Sequence, residues 1–152
     1  MLYLLAERYC SHNNSNITTM GLDIYFYKRK KDNPKPIDQE LDELDNDVEE
    51  VAYMRKHNYI YKYFEDKIDE DYNAKVDNAD LADLIDRCQQ VLDACDEKVS
   101  AELLPTTSGF FFGSTEYSPM YYMGIAEDLD AYKEMLEEFN PAEEEIFVNF
   151  SY

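Results

Sequence analysis

The chain has 152 residues, and 34 Asp and Glu against 14 Lys and Arg give it a formal net charge of −20 at pH 7. This length corresponds to one domain, and an apolar fraction of 45% is enough for a hydrophobic core. The charge argues against direct binding to nucleic acid or to anionic lipid, because both would repel the chain. It does not exclude proteins that themselves hold nucleic acid.

Residues 1–19 contain a polar, Asn-rich stretch without periodicity. We predict that they form a flexible N-terminal extension to one α+β domain over residues 20–152; an edge strand near Leu2–Leu5 is the alternative. From residue 22 to residue 28 the side chains alternate in character, with Ile24 on the apolar face, and this pattern predicts a strand. The DNPKP sequence at 32–36 then predicts a turn.

The middle of the chain predicts two helices. Residues 38–50 hold eight acids and no base. They are expected to form either an acidic loop or the start of an amphipathic helix. Apolar side chains then recur at helical spacing, which predicts a helix over 48–68. Residues 69–79 are polar and predict a loop. Asp80 is the expected N-cap of a second helix over 80–97, which has an apolar stripe.

The last third of the chain is mixed. Prolines and glycines in 102–122 argue against a long helix there, and the FFF run predicts a buried strand or a packed loop. A third helix is predicted over 127–139, and alternation predicts a strand over 145–151. The expected fold class is therefore α+β, with a small two- or three-stranded sheet that pairs strands 22–28 and 145–151 and packs against about three helices.

Compartment and cofactors follow from what the sequence contains. Cys10 is remote from the other cysteines, and Cys88 and Cys95 would lie about 10 Å apart along a helix, too far for a disulfide. No stretch approaches the roughly 18 apolar residues of a membrane span. Zinc-ligand spacing and the EF-hand glycine are both missing. We expect a cytoplasmic protein without a membrane partner, metal or other cofactor.

His57 is the first candidate for chemistry, because an imidazole can act as a general base near neutral pH. Its companions in one pocket would be Asp23, Arg55, Ser108 and Tyr117. A lone histidine without a fixed nucleophile is more often structural, and the sequence favours a protein that is not an enzyme. The 108–117 loop similarly either cradles a small ligand through its amides or is a packed structural loop.

Half of the 34 carboxylates fall in two blocks, 38–50 and 127–145. Solvated faces usually explain such blocks; the alternative is one surface that fills the basic groove of a nucleic-acid-binding protein. The predicted partner-binding residues are Asp42, Glu43, Asp45, Asp47, Glu49, Glu50, Glu127, Asp128, Asp130, Glu134, Glu137 and Glu138.

Four segments carry a resemblance to known sequences. They are MGLDIYFYKRK (20–30), EVAYMRKHNYIYKYFED (50–66), ELLPTTSGFFFGSTEYS (102–118) and IFVNFSY (146–152). Together they resemble a family of small uncharacterised proteins from phages, prophages and their bacterial hosts, with Met54 where that group often has Trp and Tyr61 where it often has His. The resemblance implies a shared fold and a phage origin, and it brings no assigned chemistry.

Three functional hypotheses follow. The first is a phage-type acidic inhibitor of a nucleic-acid-binding host defence protein, acting in the host cytoplasm as an anti-CRISPR or DNA mimic. The second is a small enzyme or ligand-binding domain with a site built from segments 20–23, 55–58 and 108–117. The third is a homo-oligomeric structural protein, with a homodimer as its simplest form.

Overall fold

Four antiparallel strands form one sheet in the computed structural model, which describes residues 21–32 and 48–152. The strands are β1 (Asp23–Lys30), β2 (Val48–Arg55), β3 (Asn73–Val76) and β4 (Glu144–Ser151), in the order β2-β1-β4-β3. The α-helices are α1 (Asn58–Phe64), α2 (Asn78–Ala94), α3 (Glu97–Leu103) and α4 (Pro119–Glu138), with a short 3₁₀ helix at Glu65–Lys67. The α+β prediction is confirmed, and the sheet has more strands than the two or three expected.

The centre of the sheet is the strand pair predicted from the two ends of the domain. β1 and β4 are antiparallel neighbours, with Ile24 opposite Phe150 and Phe26 opposite Val148. These side chains alternate along their strands, so all four point to one face and are buried there. Helices α2 and α4 pack against each other, and Phe26 meets Tyr132 of α4 edge-on with ring centroids 6.0 Å apart.

The helix predicted over 48–68 is wrong in its first half, because residues 48–55 form the edge strand β2. Val51 and Met54 do have helical spacing, and the strand's own burial pattern barely alternates. Pairing with β1 decides the structure: Tyr53 lies opposite Tyr25, with ring centroids 5.1 Å apart. Strand propensity depends on such cross-strand packing, which local sequence does not display.

The polar segment 69–79, expected to be a loop, contains the second edge strand, β3, paired with β4. Four residues are too few for periodicity to reveal a strand. The following helix begins at Asn78, with Asp77 as its N-cap, instead of at Asp80. The Asp80 carboxylate accepts a hydrogen bond from the Asp77 N–H at 2.9 Å, so it satisfies a backbone donor from within the first turn.

Helix α4 begins eight residues before the predicted start at Glu127. Pro119, interpreted as a helix breaker, is the first helical residue, a position where proline's missing N–H costs nothing and its φ is already suitable. The 104–118 segment before it is a packed loop, not a strand: Phe112 is buried, whereas Phe110 and Phe111 are exposed.

Several predictions lie outside the described residues, namely the 1–19 extension, most of the 32–36 turn and the acidic residues 38–47. Within the described ranges, no helix combines the length and the apolar character needed to cross a bilayer. Over the same ranges, no group of three or more His, Cys, Asp or Glu side chains is arranged to hold a metal ion.

Candidate functional site

A strained turn joins β2 to α1. Lys56 has φ of 62°, in the left-handed region, and its N–H donates to the Leu22 carbonyl at 2.8 Å. A residue other than glycine in this backbone conformation costs roughly 1–2 kcal/mol. Strain of this kind tends to be concentrated at functional sites. The turn fixes Arg55, His57 and Asn58 beside the 104–118 loop.

Asn58 attaches that loop to α1. Its side-chain amide donates to the carbonyl oxygens of Phe112 at 3.1 Å and Ser114 at 3.0 Å, and its Oδ1 accepts from the Thr107 N–H at 3.1 Å. The side chain is 3% exposed. One buried asparagine therefore satisfies three backbone groups of a loop that has no secondary structure of its own.

His57 is held by a buried carboxylate on α4. Its Nδ1 lies 2.8 Å and 3.0 Å from the two carboxylate oxygens of Asp128, which is 2% exposed. The Tyr59 hydroxyl donates to the same carboxylate at 2.8 Å and lies 2.8 Å from the Tyr132 hydroxyl. Because a carboxylate only accepts, Nδ1 carries a proton, and Nε2 is left for another partner.

The environment of His57 favours the charged imidazolium. Burial lowers the pKa of His57, but the Asp128 charge, the hydrogen bond to Asp128 and the Glu127 charge together raise it above the ordinary value of 6.5. The same buried network raises the pKa of Tyr59 and of Tyr132 well above the usual range, chiefly through burial. Both phenols are therefore neutral donors or acceptors near neutral pH.

A pocket of about 290 Å³ opens in front of this network. It lies between the strained turn, the 104–118 loop and the first two turns of α4. Its lining residues are Arg55, Lys56, His57, Asn58, Tyr59, Thr106, Gly113, Ser114, Glu116, Ser118, Met120, Tyr121 and Gly124. Residues from two separate segments, 50–66 and 102–118, thus meet at this pocket.

The structure brings together part of the predicted constellation. Arg55 and His57 line the pocket. Asp23 lies opposite Arg55 in the β1–β2 register and accepts from the Tyr53 hydroxyl at 2.6 Å, outside the pocket lining. Ser108 is exposed away from the lining, and the Tyr117 hydroxyl instead accepts from the Thr106 N–H at 3.2 Å. The five residues therefore do not form one site.

Sequence reasoning missed the role of Asp128, which it placed on the acidic surface. A signal was present, because Asp128 shares a helix face with Ile125, Tyr132 and Met135 at spacings of three and four residues. All three neighbours are buried in the core. An acid on an apolar helix face needs a buried partner, and His57 is that partner.

The other predicted acidic residues that the structure describes remain at the surface. Exposed carboxylates run along one side of α4, at Glu127, Asp130, Glu134, Glu137 and Glu138. A groove of about 130 Å³ lies beside this stripe, and residues from both acidic blocks line it. We call Glu49, Glu50, Glu134 and Glu138 the acidic groove. Asp42, Glu43, Asp45 and Asp47 lie outside the described residues.

Among the described residues that line the acidic groove, the one base is Lys28. Lys28 is 3.7 Å from a Glu49 carboxylate oxygen and 3.5 Å from a Glu144 carboxylate oxygen. Its side chain is largely buried, whereas that of Glu49 is 69% exposed. The groove therefore keeps a net negative charge facing solvent.

Comparison with protein-family models, with curated proteins and with solved structures found no match to this chain. The resemblance to phage proteins and the oligomeric state therefore remain predictions.

We expect the contribution of His57 to stability to fall as pH rises. Because the folded-state pKa of His57 is raised above its unfolded value, the extra stability is fully present below about 6.5 and is lost as pH rises through the folded pKa. Urea unfolding of the wild type and of His57→Asn checks this. The difference in their free energies of unfolding should be larger at pH about 5.5 than at about 8.5; a difference that grows with pH would contradict the ion pair.

Proposed function

We propose that the protein binds a basic partner protein through the acidic groove and the adjoining α4 stripe. The observation that carries this proposal is the convergence of the two acidic blocks. Glu49 and Glu50 come from β2, and Glu134 and Glu138 come from a helix more than 80 residues later, yet all four line one groove. Carboxylates also occur on other elements, so net charge alone would not single out this face.

Electrostatics gives the groove its expected mode of action. Complementary charge speeds encounter and fixes orientation more than it adds affinity. Each exposed ion pair contributes about 0.2–1 kcal/mol, so four carboxylates that act together supply roughly four-fold to several hundred-fold in affinity. The contribution must weaken with salt, because the Debye length falls from about 10 Å at 0.1 M to about 3 Å at 1 M.

The partner class is a nucleic-acid-binding protein, since its groove is already built to accept closely spaced phosphate charges. A host defence nuclease, including a CRISPR effector, is the particular partner that the resemblance to phage proteins suggests. The protein would then act as a competitive inhibitor, with its carboxylates in place of phosphates. This inhibitory role is part of the proposal and is based on the negative charge of the acidic groove.

Changing the four glutamates of the acidic groove to glutamine is expected to weaken partner binding about ten-fold. A suitable measurement uses a panel of purified defence nucleases, with affinities compared at about 0.1 M and 1 M NaCl. Duplex DNA should compete with the wild-type protein for the same nuclease. The wild type should lose most of its affinity at high salt.

The matched control removes four exposed acids from a different face, by Asp86→Asn and Asp93→Asn on α2 with Glu97→Gln and Glu102→Gln on α3. It has the same net charge as the groove variant and should retain binding within about two-fold, because it lacks only non-specific attraction. Equal loss of affinity in both variants would show that the net charge of the protein, and not the groove, determines binding. Binding that ignores both salt and the groove substitutions would refute the proposal.

A second candidate, a ligand-binding domain or small enzyme, is favoured by one specific observation. The buried Asp128 carboxylate orients His57 at the edge of a pocket of about 290 Å³. This pair has the geometry of a positioned acid or base. Among the described residues, no nucleophile is hydrogen-bonded to His57. Of the two functions in this candidate, ligand binding therefore has more support than catalysis.

A further inference from the structure

Within the described residues, the sheet has two edges, β2 and β3, and they differ in how well they are protected. β3 has only four residues and carries the exposed Lys75. Short length and lysine are both common means by which an edge strand avoids pairing with another chain. β2 has eight residues and contains neither proline nor lysine. It therefore lacks the two protections that β3 has.

The backbone of Tyr53 faces the open side of β2. The Lys56 N–H donates to the Leu22 carbonyl at 2.8 Å, one step beyond the last pair of the β1–β2 register. Because hydrogen-bonded and non-hydrogen-bonded pairs alternate along an antiparallel ladder, the backbone of Met54 faces β1 and that of Tyr53 faces outward. Outside the sheet, no described residue accepts a hydrogen bond from the Tyr53 N–H.

The part of β2 around Tyr53 has a regular register. Residues 52–55 pair one to one with residues 23–26 of β1, and the irregularity comes before them, where Val51 is the extra residue of a bulge. Another strand added to this edge would lie about 4.8 Å from β2, with its side chains alternately on the two faces of the sheet. The regular stretch is therefore a template for pairing.

The two faces of the sheet beside this edge differ in chemistry. On the helix side, Glu49 lies opposite Lys28 and lines the acidic groove. On the other side, the ring of Tyr53 packs against that of Tyr25, with centroids 5.1 Å apart, and Tyr25 stacks on Tyr27. An incoming strand therefore meets carboxylates on one face and aromatic rings on the other.

We infer that an extended segment of the partner protein adds to β2 as a further strand, with Lys or Arg at alternate positions. Its basic side chains lie over the acidic groove, and the intervening β-branched or aromatic side chains pack on Tyr53 and Tyr25. In this mode of recognition, main-chain hydrogen bonds supply affinity and the alternate side chains supply specificity. The inference rests on the proposed function, because it specifies how the basic partner reaches the groove.

Charge favours this occupant over a second copy of the chain. A second copy has a net charge of −20 and would bring its own Glu49 and Glu50 to the same edge. A basic segment instead complements these two exposed glutamates. Charged side chains on an edge strand commonly act against self-pairing, and here they would also select a partner of opposite charge.

A synthetic peptide tests this mode of binding directly. The peptide alternates Lys with Val over about eight residues, the length of β2, and is titrated into the full chain while backbone amides are followed by NMR. Binding should be saturable and should slow hydrogen exchange at the Tyr53 amide. Exchange at Ala52 and Met54, whose amides face β1, should change little. The same peptide with Glu in place of Lys should not bind.

N-methylation of the peptide separates backbone pairing from charge. Methyl groups on every second amide block the hydrogen bonds along one side of the peptide and leave its charges intact. Because an added strand pairs through one side only, one alternating set of methyl groups should weaken binding at least about ten-fold. The other set should leave the affinity within about two-fold of that of the parent peptide.

Variants at Tyr53 test the same hydrogen bond from the protein side. Tyr53→Pro removes the outward N–H, and proline is tolerated on an edge strand where that group faces solvent. Tyr53→Ala is the matched control, since it also lacks the aromatic ring but keeps the N–H. The proline variant should bind the peptide at least about five-fold more weakly than the alanine variant. The methylated peptides decide the question if Tyr53→Pro does not fold.

Three results would overturn the inference. The first is equal binding of the two methylated peptides. The second is protection of the Tyr53 amide in the free protein that increases with protein concentration, since β2 would then pair with a second copy. The third is peptide pairing at Tyr53 that the glutamine variant of the acidic groove leaves unchanged. Peptide binding that needs the groove but tolerates both methylated sets would refute strand addition alone and leave the partner-binding proposal standing.

Discussion

Replacing Asp128 with alanine is expected to lower the free energy of unfolding by about 3–5 kcal/mol, because it removes one partner of a buried pair and leaves the Nδ1–H of His57 without its acceptor. Asp128 is 2% exposed and accepts from both His57 and Tyr59. The substitution also leaves the Tyr59 hydroxyl with Tyr132 as its remaining partner. Chemical unfolding measures the loss, provided that the transition remains two-state.

Two comparisons separate charge from packing. Asp128→Asn keeps the shape and one acceptor oxygen but removes the charge, so the pKa of His57 should fall below its wild-type value when followed by NMR. Glu134→Ala, on an exposed position of the same helix, should change stability by no more than about 0.5 kcal/mol. A loss below about 1 kcal/mol for Asp128→Ala would show that the network does not hold the fold as its geometry indicates.

The elements that sequence predicted well are those whose pattern is local and long. The alternation in β1 and β4 and the apolar stripe of α2 each face one core, so burial and periodicity agree. β2 and β3 are edge strands whose residues gain their structure by pairing with β1 and β4, respectively. Such pairing joins residues far apart in the chain, and no window of local sequence contains it.

The candidate site, too, was predicted only in part from the sequence. His57 and Arg55 were identified from residue type alone, and the turn at Lys56 brings them to one pocket. Asp128 was hidden inside an acidic block, where its charge suggested solvent while its helix phase indicated the core. Gly124 carries no local signal of its position: a Cβ there would lie only 3.1 Å from His57 Nε2, a close approach that the sequence does not show. Both roles depend on a contact between α4 and the start of α1, which only the tertiary structure reveals.

Replacing Asn58 with alanine is expected to lower the free energy of unfolding by about 2–4 kcal/mol, because unsatisfied buried polar groups cost about 1–3 kcal/mol each. The variant leaves the carbonyl oxygens of Phe112 and Ser114 and the N–H of Thr107 without their partner. Ser114 is exposed and can turn to water, so the full cost of three groups is not expected. Urea unfolding at neutral pH measures the change.

Hydrogen exchange gives the local counterpart of this prediction. The Thr107 amide should exchange faster in Asn58→Ala, since its acceptor is gone. Amides within α2 should exchange faster only to the extent that the global free energy of unfolding falls. Asn58→Asp should be at least as damaging near neutral pH, because a carboxylate cannot donate to two carbonyl oxygens and would face them as a buried charge. Asn78→Ala, at an exposed asparagine that begins α2, is the control and should cost no more than about 0.5 kcal/mol.

Unchanged Thr107 exchange in Asn58→Ala would show that the 104–118 loop keeps its structure without this asparagine. In that case the shape of the pocket would depend on Phe112 packing against the Tyr61 ring, 4.9 Å away between centroids, instead of on this hydrogen-bonded asparagine.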